Sequence, residues 1–158
     1  MPERALLAEL KIPASEEFIH VAKMVAASVG GHLGFDLEEI DDLKIAVAQA
    51  CDSTIQEAME LWGSANPAIM RIVYSSTDRG IAMDVEVMSP GSMTALPTGR
   101  DAAGMRDALP TRRTARAAED QTSLLARSVI RLFVDEFQQQ IDSGSGEIRF
   151  RLVKYLIN

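Results

Sequence analysis

The chain has 158 residues, 47% of them apolar and 25% charged, and a net charge of −7 at neutral pH. That size supports one hydrophobic core. The composition excludes wholesale disorder, a collagen-like repeat and, with Cys51 the only cysteine, a disulfide scaffold. The amino-terminal stretch has acids inside its short apolar run, and no uncharged apolar run approaches the roughly 20 residues of a membrane helix. The expectation is a cytoplasmic protein of one domain, 1–158, away from membranes, whose negative charge disfavours nucleic acid.

Glu9–Ile12 reads as a short strand stopped by Pro13. Ser15 is then placed as a helix N-cap, with Glu16 and Glu17 in the first turn, where the helix dipole favours anions. Phe18, Val21, Val25 and Val29 recur at helical spacing and Gly30-Gly31 is a natural stop, which predicts helix one over residues 15–30. Asp36 and Glu39 have capping-box spacing. Ile40, Leu43, Val47, Cys51, Ile55 and Ala58 then follow a spacing of three or four, predicting helix two over 37–61, with Asn66-Pro67 as the breaker. Cys51 lies on that apolar stripe and reads as a buried small side chain rather than a reactive thiol. Trp62, just past the stripe, is assigned to the edge of the core.

Ala68–Ser75 and Ile81–Met88 are β-rich runs around the turn-like cluster 76–80, and together predict a hairpin. In the first run Met70, Ile72 and Tyr74 share one face, while Ile69, Arg71, Val73 and Ser75 share the other, so it is not cleanly amphipathic. Residues 89–118 hold three prolines, three glycines and five arginines, an irregular segment too long for an ordinary connection and therefore functional or mobile. A third helix is predicted over 119–141, with Leu125, Val129, Leu132, Phe133 and Phe137 as its apolar stripe. Asp142–Gly146 reads as a loop, and Ile148, Phe150, Leu152 and Tyr155 belong to a final strand ending near Leu156. This order lacks βαβ alternation. The expected fold class is an α+β two-layer sandwich, with helices on one face of a mixed, mostly antiparallel sheet.

Several chemistries are missing. There is no Walker-type phosphate loop and no dinucleotide fingerprint. The two histidines, His20 and His32, stand twelve apart with no ligand spacing between them, so no metal site is expected. The acidic run 38–42 reads as a solvated helix face near a helix start.

The stretch Leu10-Lys11-Ile12-Pro13-Ala14, helix one, and then Gly34 through Cys51 (GFDLEEIDDLKIAVAQAC) resembles the anti-sigma-factor serine kinases of bacterial stress-response and sporulation switches. These belong to the ATPase superfamily shared with gyrase, histidine kinases and mismatch-repair proteins (GHKL). The resemblance is strongest over residues 9–60, extends through the hairpin at 68–88, and returns at Lys154-Tyr155-Leu156. It implies the histidine-kinase-like ATPase fold, with ATP and Mg2+ as the family's cofactors. In the family, helix two carries a Glu-Ala-x-x-Asn signature, whose glutamate activates the attacking hydroxyl and whose asparagine ligates the magnesium. The matching positions here are Gln49 and Ser53. An amide cannot accept a proton as a carboxylate does, and serine is a shorter, poorer oxygen ligand for a hard cation. The family's Asp-x-Gly motif is matched by Ser89-Pro90-Gly91, with Ser89 in place of the aspartate that reads adenine and Gly91 in place of the glycine. The glycine-bearing stretch that opens helix three is matched by Thr122–Ala126, which has no glycine.

These departures imply that no cofactor is bound and that the fold has kept its shape while losing its kinase chemistry. Three functions stand side by side. The first is a non-catalytic regulator that binds a sigma factor and/or an antagonist of anti-sigma proteins. The resemblance sets Lys23 at the place of a partner-contacting basic residue on helix one, with a solvated lysine as the plain alternative. The family's tendency to dimerise through its sheet adds a homodimer to the expectations. The second is an active ATP-dependent serine kinase using shifted acids. Glu57 stands eight residues from Gln49, roughly 12 Å along a helix, and Asp52 turns to a different side. The third makes the arginine-rich segment a contact for nucleic acid or an acidic partner, though no interleaved aromatics offer a stacking platform for bases.

Overall fold

The computed structural model describes residues 4–62, 68–88, 124–142 and 147–157. In chain order they form β1 (Leu6–Pro13), a single 3-10 turn (Glu16–Phe18), α1 (Ile19–Leu33), α2 (Leu37–Trp62), β2 (Ile69–Ser76), β3 (Gly80–Met88), α3 (residues 124–133), β4 (Glu136–Asp142) and β5 (Glu147–Tyr155). The strands lie in the order β1-β2-β3-β5-β4, and each of these neighbours is antiparallel to the next. The expected two-layer sandwich is therefore present, with an antiparallel sheet at every described pairing.

Strand period two sorts the sheet into an apolar face and a charged one. Met70, Ile72 and Tyr74 of β2 are fully buried on the inner face. Beside them lie Ile81, Met83, Val85 and Val87 of β3 and Ile148, Phe150 and Leu152 of β5. Against them α2 sets Leu43, Ala46, Val47, Ala50, Cys51, Ile55 and Ala58, and α1 sets Ala22 and Ala26. Each large side chain taken out of water here contributes about 1.5–3 kcal/mol. Tyr74 is the one phenol in this core. Its hydroxyl donates to the Ala22 carbonyl at 2.8 Å, which ties β2 to α1 and satisfies a group that would be costly to bury alone.

The outer face explains why β2 is not cleanly amphipathic: Arg71 is a link in a charged ladder across the strands. Its Nε donates to Glu9 Oε1 at 2.7 Å and its Nη1 to Glu86 Oε2 at 3.2 Å. Arg149 stands 3.3 Å from Glu86 Oε1 and 3.6 Å from Asp84 Oδ1, and Arg151 also faces Asp84. The hydrogen bond from Arg71 is the main reason the Glu9 carboxyl titrates below its ordinary range.

The two main helices start and stop by identifiable devices. The capping box at α2 forms as expected: Glu39 N–H donates to Asp36 Oδ1 at 2.8 Å and Asp36 N–H to Glu39 Oε2 at 2.9 Å. Ser15 stands at an N-cap with extended backbone, yet makes no side-chain cap bond; its hydroxyl donates to Glu17 instead. The helix it precedes is only a 3-10 turn before α1 begins at Ile19.

The expected stop at Gly30-Gly31 is overturned. α1 runs through both glycines to Leu33 and ends at Gly34, which adopts φ +91° and donates its N–H back to Gly30 and Gly31. The glycine at 30 serves packing: a Cβ there would stand 2.9 Å from Leu43 Cδ1 and 3.4 Å from Ile40 Cγ1, where α1 crosses α2. At Gly31 the nearest atom is an unstrained 3.9 Å away. Gly31→Ala should therefore stabilise the protein by up to about 1 kcal/mol through helix propensity. Gly30→Ala should destabilise it by about 1 kcal/mol, because overpacking against the fully buried Leu43 outweighs that gain. Urea unfolding of the two variants checks the opposite signs.

The helix predicted over 119–141 is a second correction. Among the described residues α3 ends at 133, and Glu136–Asp142 is instead the edge strand β4, paired with β5. Phe137 therefore belongs to the sheet, stacked on Phe150 with ring centroids 5.8 Å apart. The expected stripe of α3 fails too. Ile130 is the side chain turned fully inward, while Leu125 and Leu132 are 68% and 77% exposed. The irregular segment 89–118 and the side chain of Trp62 lie outside the described residues.

Candidate functional site

α2 carries the residues that the resemblance singles out. Its core-facing positions, Leu43, Val47, Ala50 and Thr54, repeat every three to four residues. Asp42, Gln49 and Ser53 follow one another at seven and four residues, so they share a flank beside that stripe. Gln49 and Ser53 are half-buried there, one turn apart. The Ser53 Oγ is shut off from solvent and makes no hydrogen bond among the described residues. Its neighbour Thr54 is satisfied by the Ala50 carbonyl within the helix. Of the two acids weighed as substitutes, Asp52 accepts a hydrogen bond from Gln56 at 3.1 Å, and Glu57 is half-buried.

The donor set at positions 49 and 53 is an amide and a shielded hydroxyl. The amide cannot take a proton from an attacking hydroxyl as a carboxylate does, and the shielded Ser53 hydroxyl reaches less far toward a magnesium ion than an asparagine side chain, so the pair fits that chemistry poorly. Among the described residues, no cluster of three or more His, Cys, Asp or Glu side chains is placed to hold a metal. Ser89 and Gly91 lie outside the described residues, so the structure brings together only Gln49 and Ser53 of that predicted set. Lys23 is half-buried on α1, beside Met24, which is 68% exposed. Cys51 is fully buried as expected, and burial pushes its thiol up to about 12, which makes it inert as a nucleophile at neutral pH.

Lys154, which the sequence places only in the closing strand, has a buried setting that the sequence reading did not foresee. It occupies an inward position of β5, two residues from Leu152, yet is only 9% exposed. Its Nζ donates to Asp42 Oδ2 at 3.1 Å and to the Phe133 carbonyl at 3.2 Å. The available signal was its register: a lysine at an even position of a strand whose even positions are all core.

Helices on one face of a five-stranded antiparallel sheet, with a long second helix carrying a polar flank, form an α+β sandwich consistent with a histidine-kinase-like ATPase fold. The chain is similar to the serine-protein kinase RsbW of Bacillus pumilus (strain SAFR-032), with 41% identity over 58 residues, 37% of this chain and 36% of the relative. It is 38% identical to the proteins of the same name in Bacillus thuringiensis (strain Al Hakam) and Bacillus cereus (strain B4264), again over 58 residues. The match covers that stretch alone and spans little more than a third of the relatives' length. No protein-family model matches the chain. No helix among the described residues is long and apolar enough to cross a membrane.

Proposed function

We propose that this protein is an anti-sigma-factor-like regulator that acts in the cytoplasm by binding protein partners, and that its ATP-binding and kinase chemistry has been lost. What carries this reading is the pair on α2: the resemblance sets Gln49 at the place of the family's general base and Ser53 at that of its metal ligand. Loss of a general base alone commonly costs about 10²–10⁴-fold in rate. Loss of the metal ligand removes the means of holding the phosphates as well.

The partners are a sigma factor and/or an antagonist that competes for the same surface. The exposed face of α1 around Lys23 and Met24 is the contact region, where a basic head and an apolar side chain stand together. The protein acts as a homodimer through its sheet. A second reading, an active ATP-dependent serine kinase, is favoured by the relatives, which are named serine-protein kinases.

Calorimetric titration with ATP and with ADP, each with magnesium, separates the two. The expected result is no heat of binding up to millimolar nucleotide, alongside retention of a sigma factor or antagonist in pull-down. Clear magnesium-dependent binding would put the kinase reading first.

A further inference from the structure

Lys154 is a charged side chain on the face of the sheet that otherwise builds the apolar core. Burying an ammonium is costly unless it is paired and hydrogen-bonded. Here both conditions are met by groups from two other elements: the Asp42 carboxylate near the start of α2 and the carbonyl of Phe133, the last residue of α3. That carbonyl is one of the four a helix leaves without a partner at its end, where a cation also meets the negative end of the helix dipole.

The rest of α3 is lightly held. Of its described side chains only Ile130 is fully buried, whereas Leu124, Leu125 and Leu132 are each more than half exposed. The joint that follows is clamped on the same strand. Asp135 N–H donates to the Val153 carbonyl at 2.9 Å, Tyr155 N–H donates to Asp135 Oδ2 at 2.7 Å, and the Tyr155 hydroxyl donates to Glu136. The described part of α3 is thus held chiefly at its Phe133 end.

We propose that Lys154 is a latch on α3: by bridging Asp42 and the Phe133 carbonyl it holds the end of α3 against α2, and its release lets α3 come away while the sheet stays folded. Asp42 lies on the same flank of α2 as Gln49 and Ser53, seven residues before Gln49, roughly 10 Å along the helix. The latch thus sets where α3 stands relative to that flank. It operates whether the protein's ligand is a nucleotide or another protein, so its test does not depend on the functional reading above.

The test is native-state amide hydrogen exchange on the full chain, comparing the wild type with Lys154→Met, which keeps the length and apolar stem and removes the charge. Protection of the amides of residues 127–133 should fall at least about tenfold, the scale of one lost charge-assisted hydrogen bond, while the amides of β2 and β3 keep their wild-type rates. Asp42→Asn removes one of the two partners and should give a smaller loss at the same amides. If Lys154→Met does not fold, Asp42→Asn decides by itself. Wild-type protection of α3 in the folded variant, or a loss spread evenly over helix and sheet, overturns the proposal.

Discussion

Replacing Gly80 by alanine should lower the stability of the fold by about 3 kcal/mol and its melting temperature by about 10 °C. Gly80 opens β3 and is paired with Tyr155 across to β5. A Cβ at this position would overlap the Lys154 carbonyl oxygen and stand 2.9 Å from the Tyr155 Cα. Both neighbours are backbone, so no side-chain rotation relieves the clash and the β3–β5 ladder itself must part. The glycine is also tied into the turn: it donates to Thr77 Oγ1 at 2.9 Å and accepts from the Thr77 N–H at 2.8 Å. Displacing β5 here loosens the strand between two pairings at once. Chemical denaturation of Gly80→Ala checks the value; a loss under about 1 kcal/mol would mean that the strands separate locally at little cost.

Gly80 also shows where sequence reading stops. Its place in a turn between two β-rich runs is legible from Thr77-Asp78-Arg79-Gly80 alone. The reason for glycine is the approach of a strand some 75 positions away in the chain, which no local pattern records. The same holds for Gly30. A pair of glycines after an apolar helical run reads as a stop. Gly30 is demanded by the crossing with α2, and the residue that ends the helix, Gly34, comes one turn later. By contrast α2 was legible almost to the residue, because its capping box and its apolar spacing are both local properties.

The candidate site divides in the same way. The spacing that puts Gln49 and Ser53 on one flank follows from helix period alone, and the structure keeps it. The tie from Lys154 to Asp42 joins residues 112 apart, and only strand register could have flagged it. A lysine between Leu152 and Leu156 looks like an ordinary solvated end of a strand. It is buried because α3 and α2 meet above it and offer a carbonyl and a carboxylate.

Phe150→Ala should cost about 3–5 kcal/mol, the usual range for truncating a buried aromatic, and should expose why β4 is a strand. Phe150 is 2% exposed, opposite Val85 on β3 and Gln139 on β4. On the β4 side it stacks diagonally on Phe137 at an interplanar angle of 22°. The residues of β4, EFQQQID, have no strong strand preference; glutamine and glutamate favour helix, and Phe133 and Phe137 stand at helical spacing. What overrides local preference is a second pattern with period two. Phe137, Gln139 and Ile141 face Leu152, Phe150 and Ile148 across the ladder, so three side chains of β4 meet three fully or nearly fully buried ones of β5. The aromatic stack joins the two strands directly, so its removal should act first on β4. Hydrogen exchange in Phe150→Ala should therefore show β4 amides losing protection well beyond the global change, with the β2–β3 hairpin tracking overall stability. Equal losses in β4 and the hairpin would mean that β4 is held by its backbone ladder rather than by the stack. In that case the edge strand would owe its conformation to pairing alone, and Phe137→Leu, which keeps an apolar side chain at that position, would be close to neutral.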